Sequence, residues 1–292
     1  MNRIAMHLLA ATALIAAGAE ASAADLSGGL RGPSVVTPLA EPAASSSGWY
    51  LRGDVGVGIS PQPDLYSQET NVPKSFIHRD LADAPFIGAG IGYQFNDYLR
   101  ADLTGEYHGS RRLRGTAFYQ STYSGRPSHN YASYDGDLRT FAVMANAYID
   151  LGSYWGVTPY VGGGIGAAYN RLSTIKTATQ FMVSDNASTF ANPTPQPASG
   201  GYMPARGEWS FAWALHTGMT WDVSPRFKVD LGYSYKDLGK VTSGQAVCYD
   251  YTTCDEKLKV KNIIANDLHL GVRYLLNPPT RTPVYTPVVA KY

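Results

Sequence analysis

Arg52, Asp54, Arg100, Asp102, Glu106, Asp150, Asp222, Lys228, Asp230, Lys236, Asp267 and Arg273 recur at alternate positions of short segments. Brought onto one face, they make either an ion-paired filling or a polar path for small ions. A His/Ser pair at His108 and Ser110 superficially suggests acyl transfer. His108 falls on the polar phase of its segment and no acid is placed to orient it, so a catalytic reading fails. Cys248 and Cys254 in CYDYTTC have no accompanying histidine pair, which argues for one disulfide and against a metal site. The glycines of GVGIS and Gly162 to Gly164 lack the strand-to-helix context of a phosphate loop and read as strand glycines.

These residues need elements to hold them. Residues 1–23 have a positive start at Arg3, an apolar run from Leu8 to Ala17 and small residues up to Ala23, the pattern of a secretory signal peptide. That run is shorter than the roughly 20 residues needed to span a bilayer as a helix. Residues 24–47 carry PLAEPAASSSG and read as a flexible periplasmic segment, as does the Pro-rich tail 277–292. A formal net charge of +1 offers nothing to nucleic acid, and 30 Gly with 21 Tyr suits alternating strands better than packed helices.

Between those extensions, eight segments alternate with period two: GWYLRGDVGVG, PFIGAGIGYQF, YLRADLTGEYHG, RTFAVMANAYIDL, VTPYVGGGIGAAYN, EWSFAWALHTGMTWDV, FKVDLGYSYKD and NDLHLGVRYLL. One phase of each is apolar, and the other holds the charges together with small residues such as Gly88, Gly90, Gly92, Gly162, Gly164 and Gly166. No charge interrupts the apolar phase within a strand core; Asp137 and Arg139 share it only at the rim. Short connections at 96–97, 152–156 and 224–226 alternate with long ones over 59–84, 111–135, 171–206 and 238–262. The pattern predicts an all-β fold, an eight-stranded antiparallel transmembrane β-barrel over residues 48–276 with short periplasmic turns and four long outer loops. Closure follows because an open strand edge in hydrocarbon leaves backbone groups unpaired.

From Trp209 to Trp221 is about 40 Å along a strand and about 30 Å vertically after tilting, which matches an apolar band with aromatic girdles. Trp49, Tyr93, Phe95, Trp221 and Phe227 are expected in the girdles, as are Tyr107, Tyr169 and Trp209. The charged set is expected in the lumen, where the narrow interior of eight strands favours a plug over a path.

The chain resembles the small eight-stranded outer-membrane β-barrels of Gram-negative bacteria, above all the porin-family surface antigens of alphaproteobacteria, with OmpA-like barrels more distant. The resemblance rests on GWYLRGDVGVG after a leader ending ASAAD, on TPYVGGGIGAAYNR, and on the last strand LHLGVRYLL, and covers about residues 48 to 276. It implies an assembly signal at His269, Gly271, Tyr274 and Leu276, although this chain continues past the last strand with NPPTRTPVYTPVVAKY. It implies location in the outer membrane, with lipid, lipopolysaccharide and the barrel-assembly machinery as partners and peptidoglycan or host molecules as further candidates. No cofactor and no enzymatic activity are expected. The role implied first is structural, a surface antigen of the envelope. A narrow diffusion channel is the alternative, and a surface receptor or adhesin is a third reading. In that third reading the outer loops take a host ligand, or haem through His78 and His129.

Overall fold

The computed structural model describes residues 47–67, 73–186, 190–248 and 254–277. The expected leader, nearly all of the linker before the first strand, and the tail after Asn277 lie outside the described residues.

Eight strands form a closed antiparallel ring: β1 (Gly48–Ile59), β2 (Ala84–Gln94), β3 (Leu99–Tyr123), β4 (Arg126–Asp150), β5 (Val157–Leu172), β6 (Arg206–Asp222), β7 (Phe227–Asp237) and β8 (Ile264–Leu275). Each pairs with its neighbour in sequence, and β8 closes on β1 from Tyr50↔Leu275 to Ile59↔Asn266. Closure leaves no ring edge for lipid to meet.

The tight turns use specific chemistry. Asn96 Oδ1 accepts hydrogen bonds from the amides of Tyr98 and Leu99, both at 2.8 Å, which turns β2 into β3. Between β4 and β5, Gly152 and Gly156 adopt φ of 97° and 80°, a region that side chains other than glycine disfavour. Ser224 Oγ accepts from the Phe227 amide at 3.0 Å before β7.

The outside of the ring is apolar over the length of these strands. Leu51, Val55, Ile87, Ile91, Leu103, Ile149, Ile165, Leu215, Leu231 and Leu270 are all exposed, a continuous surface that only a lipid environment accommodates.

The four long connections depart from the loops expected. β3 and β4 run on as one hairpin to a turn at Ser124 and Gly125. Ser75–Leu81 adds to one side of this hairpin, and Ile175–Val183 followed by Ser199–Met203 to the other. Asp64–Ser67, Leu258–Lys261 and Val241–Thr242 form a small separate sheet from the first and last connections. These segments carry charges and small polar residues, which read as loop, yet they retain alternation and so complete their backbone hydrogen bonds by pairing.

Sidedness inverts along a single strand. On β4 the outward residues run Ile149, Val143, Phe141 and then Arg139, while the inward ones run from Asp150, Tyr148 and Asn146 to Leu138, Tyr134 and Ala132. β3 reaches the same result by a register shift between His108 and Arg111, which brings Leu113 and Ala117 inward and leaves Arg112 and Arg114 exposed. Beyond Phe141 the protein therefore has a water-soluble arrangement, with an apolar core that includes Leu65, Leu81, Leu113, Leu138, Leu172, Ile175, Met203, Leu238, Val260 and Ile263.

Candidate functional site

The lumen near the short-turn end holds a continuous polar network. Arg52 on β1 donates from Nε to Asp54 Oδ2 at 2.6 Å, and from Nη1 to Asp102 Oδ2 at 3.0 Å and the Tyr148 hydroxyl at 2.6 Å. Asp102 also accepts from Tyr50 at 3.1 Å and from Asn146 Nδ2 at 2.9 Å. Asn146 Oδ1 lies 3.1 Å from Nε2 of His216, whose Nδ1 lies 2.8 Å from Ser234 Oγ. Glycines make room for these side chains: Gly88 and Gly271 flank Asp54 on neighbouring strands, and a Cβ on Gly271 would be built against its carboxylate.

Two further pairs thicken the network. Arg273 binds Asp230 through Nε at 2.8 Å and through Nη2 at 3.0 Å, with Thr220 donating to the same carboxylate. Arg100 donates to Asp150 at 3.1 Å, with its guanidinium 4.1 and 4.6 Å from the ring centroids of Tyr148 and Tyr160. Each arginine is thus neutralised by an acid, and the Arg100 guanidinium packs against two rings.

Farther along the lumen, Lys236 on β7 donates to Glu106 on β3 and lies 2.9 Å from Asp267 on β8. His108 Nε2 is 3.8 Å from Glu106 and 3.7 Å from Asp267. Glu106, His108 and Asp267 bring donor atoms within 4.8 Å of one another, a spacing a metal ion can use. Here the Lys236 ammonium already stands between the two carboxylates, so the group is an ion-paired cluster with its own internal cation.

Above this cluster the apolar core closes the interior, and a pocket of about 360 Å³ opens within the folded extension. Its lining includes Lys74, Tyr119, Tyr134, Thr177 and Glu256, and its edge carries the Cys248–Cys254 disulfide. Glu256 Oε1 accepts from Lys74 at 2.7 Å and from Tyr134 at 2.5 Å. Three separate connections thus meet on one carboxylate.

Most of the expected lumen residues lie inside, but two do not. Asp222 and Lys228 pair at 2.8 Å on the short-turn rim, with the Asp222 side chain 41% exposed, because both sit one step from the turn between β6 and β7. Arg52 pairs with Asp54 on its own strand and with Asp102 on β3, and Arg273 pairs with Asp230 on β7. Sequence reading overlooked Tyr50, Asn146, Tyr148, His216 and Thr220, all polar residues on the inward phase of otherwise apolar strands. That phase was the signal available.

Trp49, Phe95, Tyr107, Trp209 and Phe227 are outward and exposed, and Tyr93, Tyr169 and Trp221 are partly so. Trp49 stacks edge-on with Tyr93 at 5.3 Å, and Tyr169 packs against Trp209 at 5.3 Å. In the last strand His269 is buried beside Phe86, whereas Tyr274 and Leu276 point outward. His108 is buried and Ser110 exposed across the β3 irregularity, so the two cannot act together. His78 lies opposite Thr116 and His129 opposite Gln120, with His129 stacked on Phe190 at 3.5 Å, so the two are held at different levels of the hairpin.

Residues 8–275 match the family described as outer membrane protein beta-barrel domain. An uncharacterized protein of Brucella abortus (strain 2308) is 34% identical over 252 residues, which cover 81% of each chain. Outer membrane protein PagN of Salmonella typhimurium is 25% identical over 80% of this chain and 91% of its own. A Rickettsia conorii protein whose name proposes an adhesin is 26% identical over 82% and 87%. Among solved structures, Neisserial surface protein A covers 79% of this chain and 99% of its own, with 17% identity and a TM-score of 0.39.

Proposed function

The chain belongs to the outer membrane protein beta-barrel domain family and resides in the outer membrane of the Gram-negative envelope; from that premise we propose that it is a surface-binding protein. In this reading the barrel is a closed anchor, and the extension beyond the membrane is the working part. One observation carries it: the four long connections are joined into a single β-structured body with its own apolar core, instead of hanging as separate loops. Order of this kind lowers the conformational cost of binding a partner and has no use in a plain diffusion channel. Relatives named as an outer membrane protein and an adhesin support the same reading. No catalytic step is part of it.

The lumen supports an anchor over a conduit. The lower-lumen charges Arg52, Arg100 and Arg273 are each paired with an acid, aromatic rings pack against them, and the apolar core lies above. The test is adherence of a non-adherent Gram-negative strain made to display the full protein, set against a variant in which residues 119–130 at the hairpin tip are replaced by a Gly/Ser turn. Adherence to cultured animal cells is expected with the full protein and lost with the variant. Equal adherence of both, or of neither above vector, removes the adhesin reading.

A further inference from the structure

Across β4 and β5, Arg139 lies directly opposite Arg171 on the outward face. Like charges placed opposite each other in an antiparallel pair repel. Both side chains are exposed, and among the described residues no carboxylate lies within 4.0 Å of either guanidinium. Every other arginine of the hairpin's outer face has an acid: Arg112 binds Asp135 at 2.8 Å, Arg114 approaches it at 3.5 Å and Arg126 binds Asp185 at 2.7 Å.

The place of this pair in the membrane says what is missing. One outward step below, Tyr107, Phe141, Tyr169 and Trp209 form a row across four neighbouring strands. Such a row marks the level of the outer lipid–water interface. The two guanidinium groups begin about 5 Å higher, allowing for strand rise and tilt, which is headgroup depth. Together with Tyr107, Phe141 and Tyr169 they line a surface pocket of about 220 Å³, with cations on its upper wall and rings on its floor.

We propose that this pocket binds a phosphate of the outer-leaflet glycolipid, lipopolysaccharide, with Arg139 and Arg171 clamping the phosphate and the rings carrying the sugar and the first acyl carbons. Two guanidinium forks match the phosphate oxygens, and the anion cancels the repulsion between them. The barrel is thereby fixed at one depth and one face to the lipid whose leaflet it spans.

Refolded protein in neutral detergent tests this by titration with bisphosphorylated lipid A, the same lipid stripped of both phosphates, and inorganic phosphate, read by native mass spectrometry. Phosphorylated lipid is expected to bind at least about tenfold more tightly than the stripped lipid, and inorganic phosphate is expected not to compete at equal concentration. Arg139→Gln with Arg171→Gln should bring binding of the phosphorylated lipid down to the stripped level, while Arg114→Gln leaves it unchanged. Equal binding of the two lipids by the unaltered protein overturns the proposal without reliance on any variant. Competition by inorganic phosphate as strong as the lipid's own binding also overturns it, as does full binding by the folded double variant.

Discussion

Nζ of Lys236 lies 2.9 Å from Oδ2 of Asp267 on the adjacent strand, and the same ammonium reaches Glu106 on the far side of the lumen. All three side chains are buried. Lys236→Met strips two buried carboxylates of their cation and is expected to cost about 3–5 kcal/mol in urea unfolding of the refolded barrel from lipid vesicles. Adding Glu106→Gln and Asp267→Asn should restore much of the loss. A stability unchanged by Lys236→Met would show that water already screens the cluster.

The unaltered protein should give only rare, feeble currents in planar bilayers, because the paired charges and the apolar core both block the axis. Arg52→Ala with Arg273→Ala removes bulk and cations from the lower lumen but leaves the core above it, so steady current is not expected from that change alone. Adding Leu138→Ala and Leu172→Ala should then admit a small, cation-preferring current, since the remaining acids dominate the interior field. A large steady conductance in the unaltered protein would establish the channel reading instead.

Outward Leu231 is 45% exposed on β7, where its cross-strand partners Met219 and Leu270 are also outward. Leu231→Arg should cost about 2–4 kcal/mol of folding free energy in vesicles. The same residue placed at exposed Thr122, near the hairpin tip, should change stability by less than about 0.5 kcal/mol. Equal effects at the two positions would show that the lipid-facing surface is wrongly identified.

Gly92 faces the Tyr50 ring so closely that a Cβ would be built into it, and the Tyr50 hydroxyl is held by Asp102 at 3.1 Å. Gly92→Ala is therefore expected to cost about 1–3 kcal/mol. Combined with Tyr50→Leu, it should cost much less than the two changes measured separately, a coupling that a double-mutant cycle reads directly.

Cys248 and Cys254 are joined, six residues apart in sequence. So small a closed loop contributes about 2 to 3 kcal/mol at most by the chain-entropy account, and its effect is local. Reduction should leave barrel melting almost unchanged while loosening the outer pocket beside it, seen as faster amide exchange at Tyr134 and Ala246. A large drop in melting temperature would tie the bridge to the barrel itself.

Alternation in Trp209 to Val223 and in Phe227 to Asp237 was enough to place strands, faces and the aromatic belts, because a period of two assigns each residue to a side without knowledge of its neighbours. The same local rule points most of the charges inward, Asp222 and Lys228 excepted, and sets the strand order, since short turns force sequential antiparallel pairing. It did not extend to the long connections. Arg112, Arg114 and Asp135 look like loop residues where apolar groups are expected outside, and only pairing across the hairpin shows them as the wet face of a sheet.

Partnership was the other matter that sequence left open. Arg52 was equally able to meet an acid on β8 or β3, Asp222 to turn inward or stay at the rim, and Glu256 to remain an ordinary loop acid. Register, shear and the meeting of three connections selected Asp102 for Arg52, the rim for Asp222, and Lys74 with Tyr134 for Glu256. A side chain's phase is fixed by its own backbone, whereas its partner lies dozens of residues away and is chosen by how the ring closes.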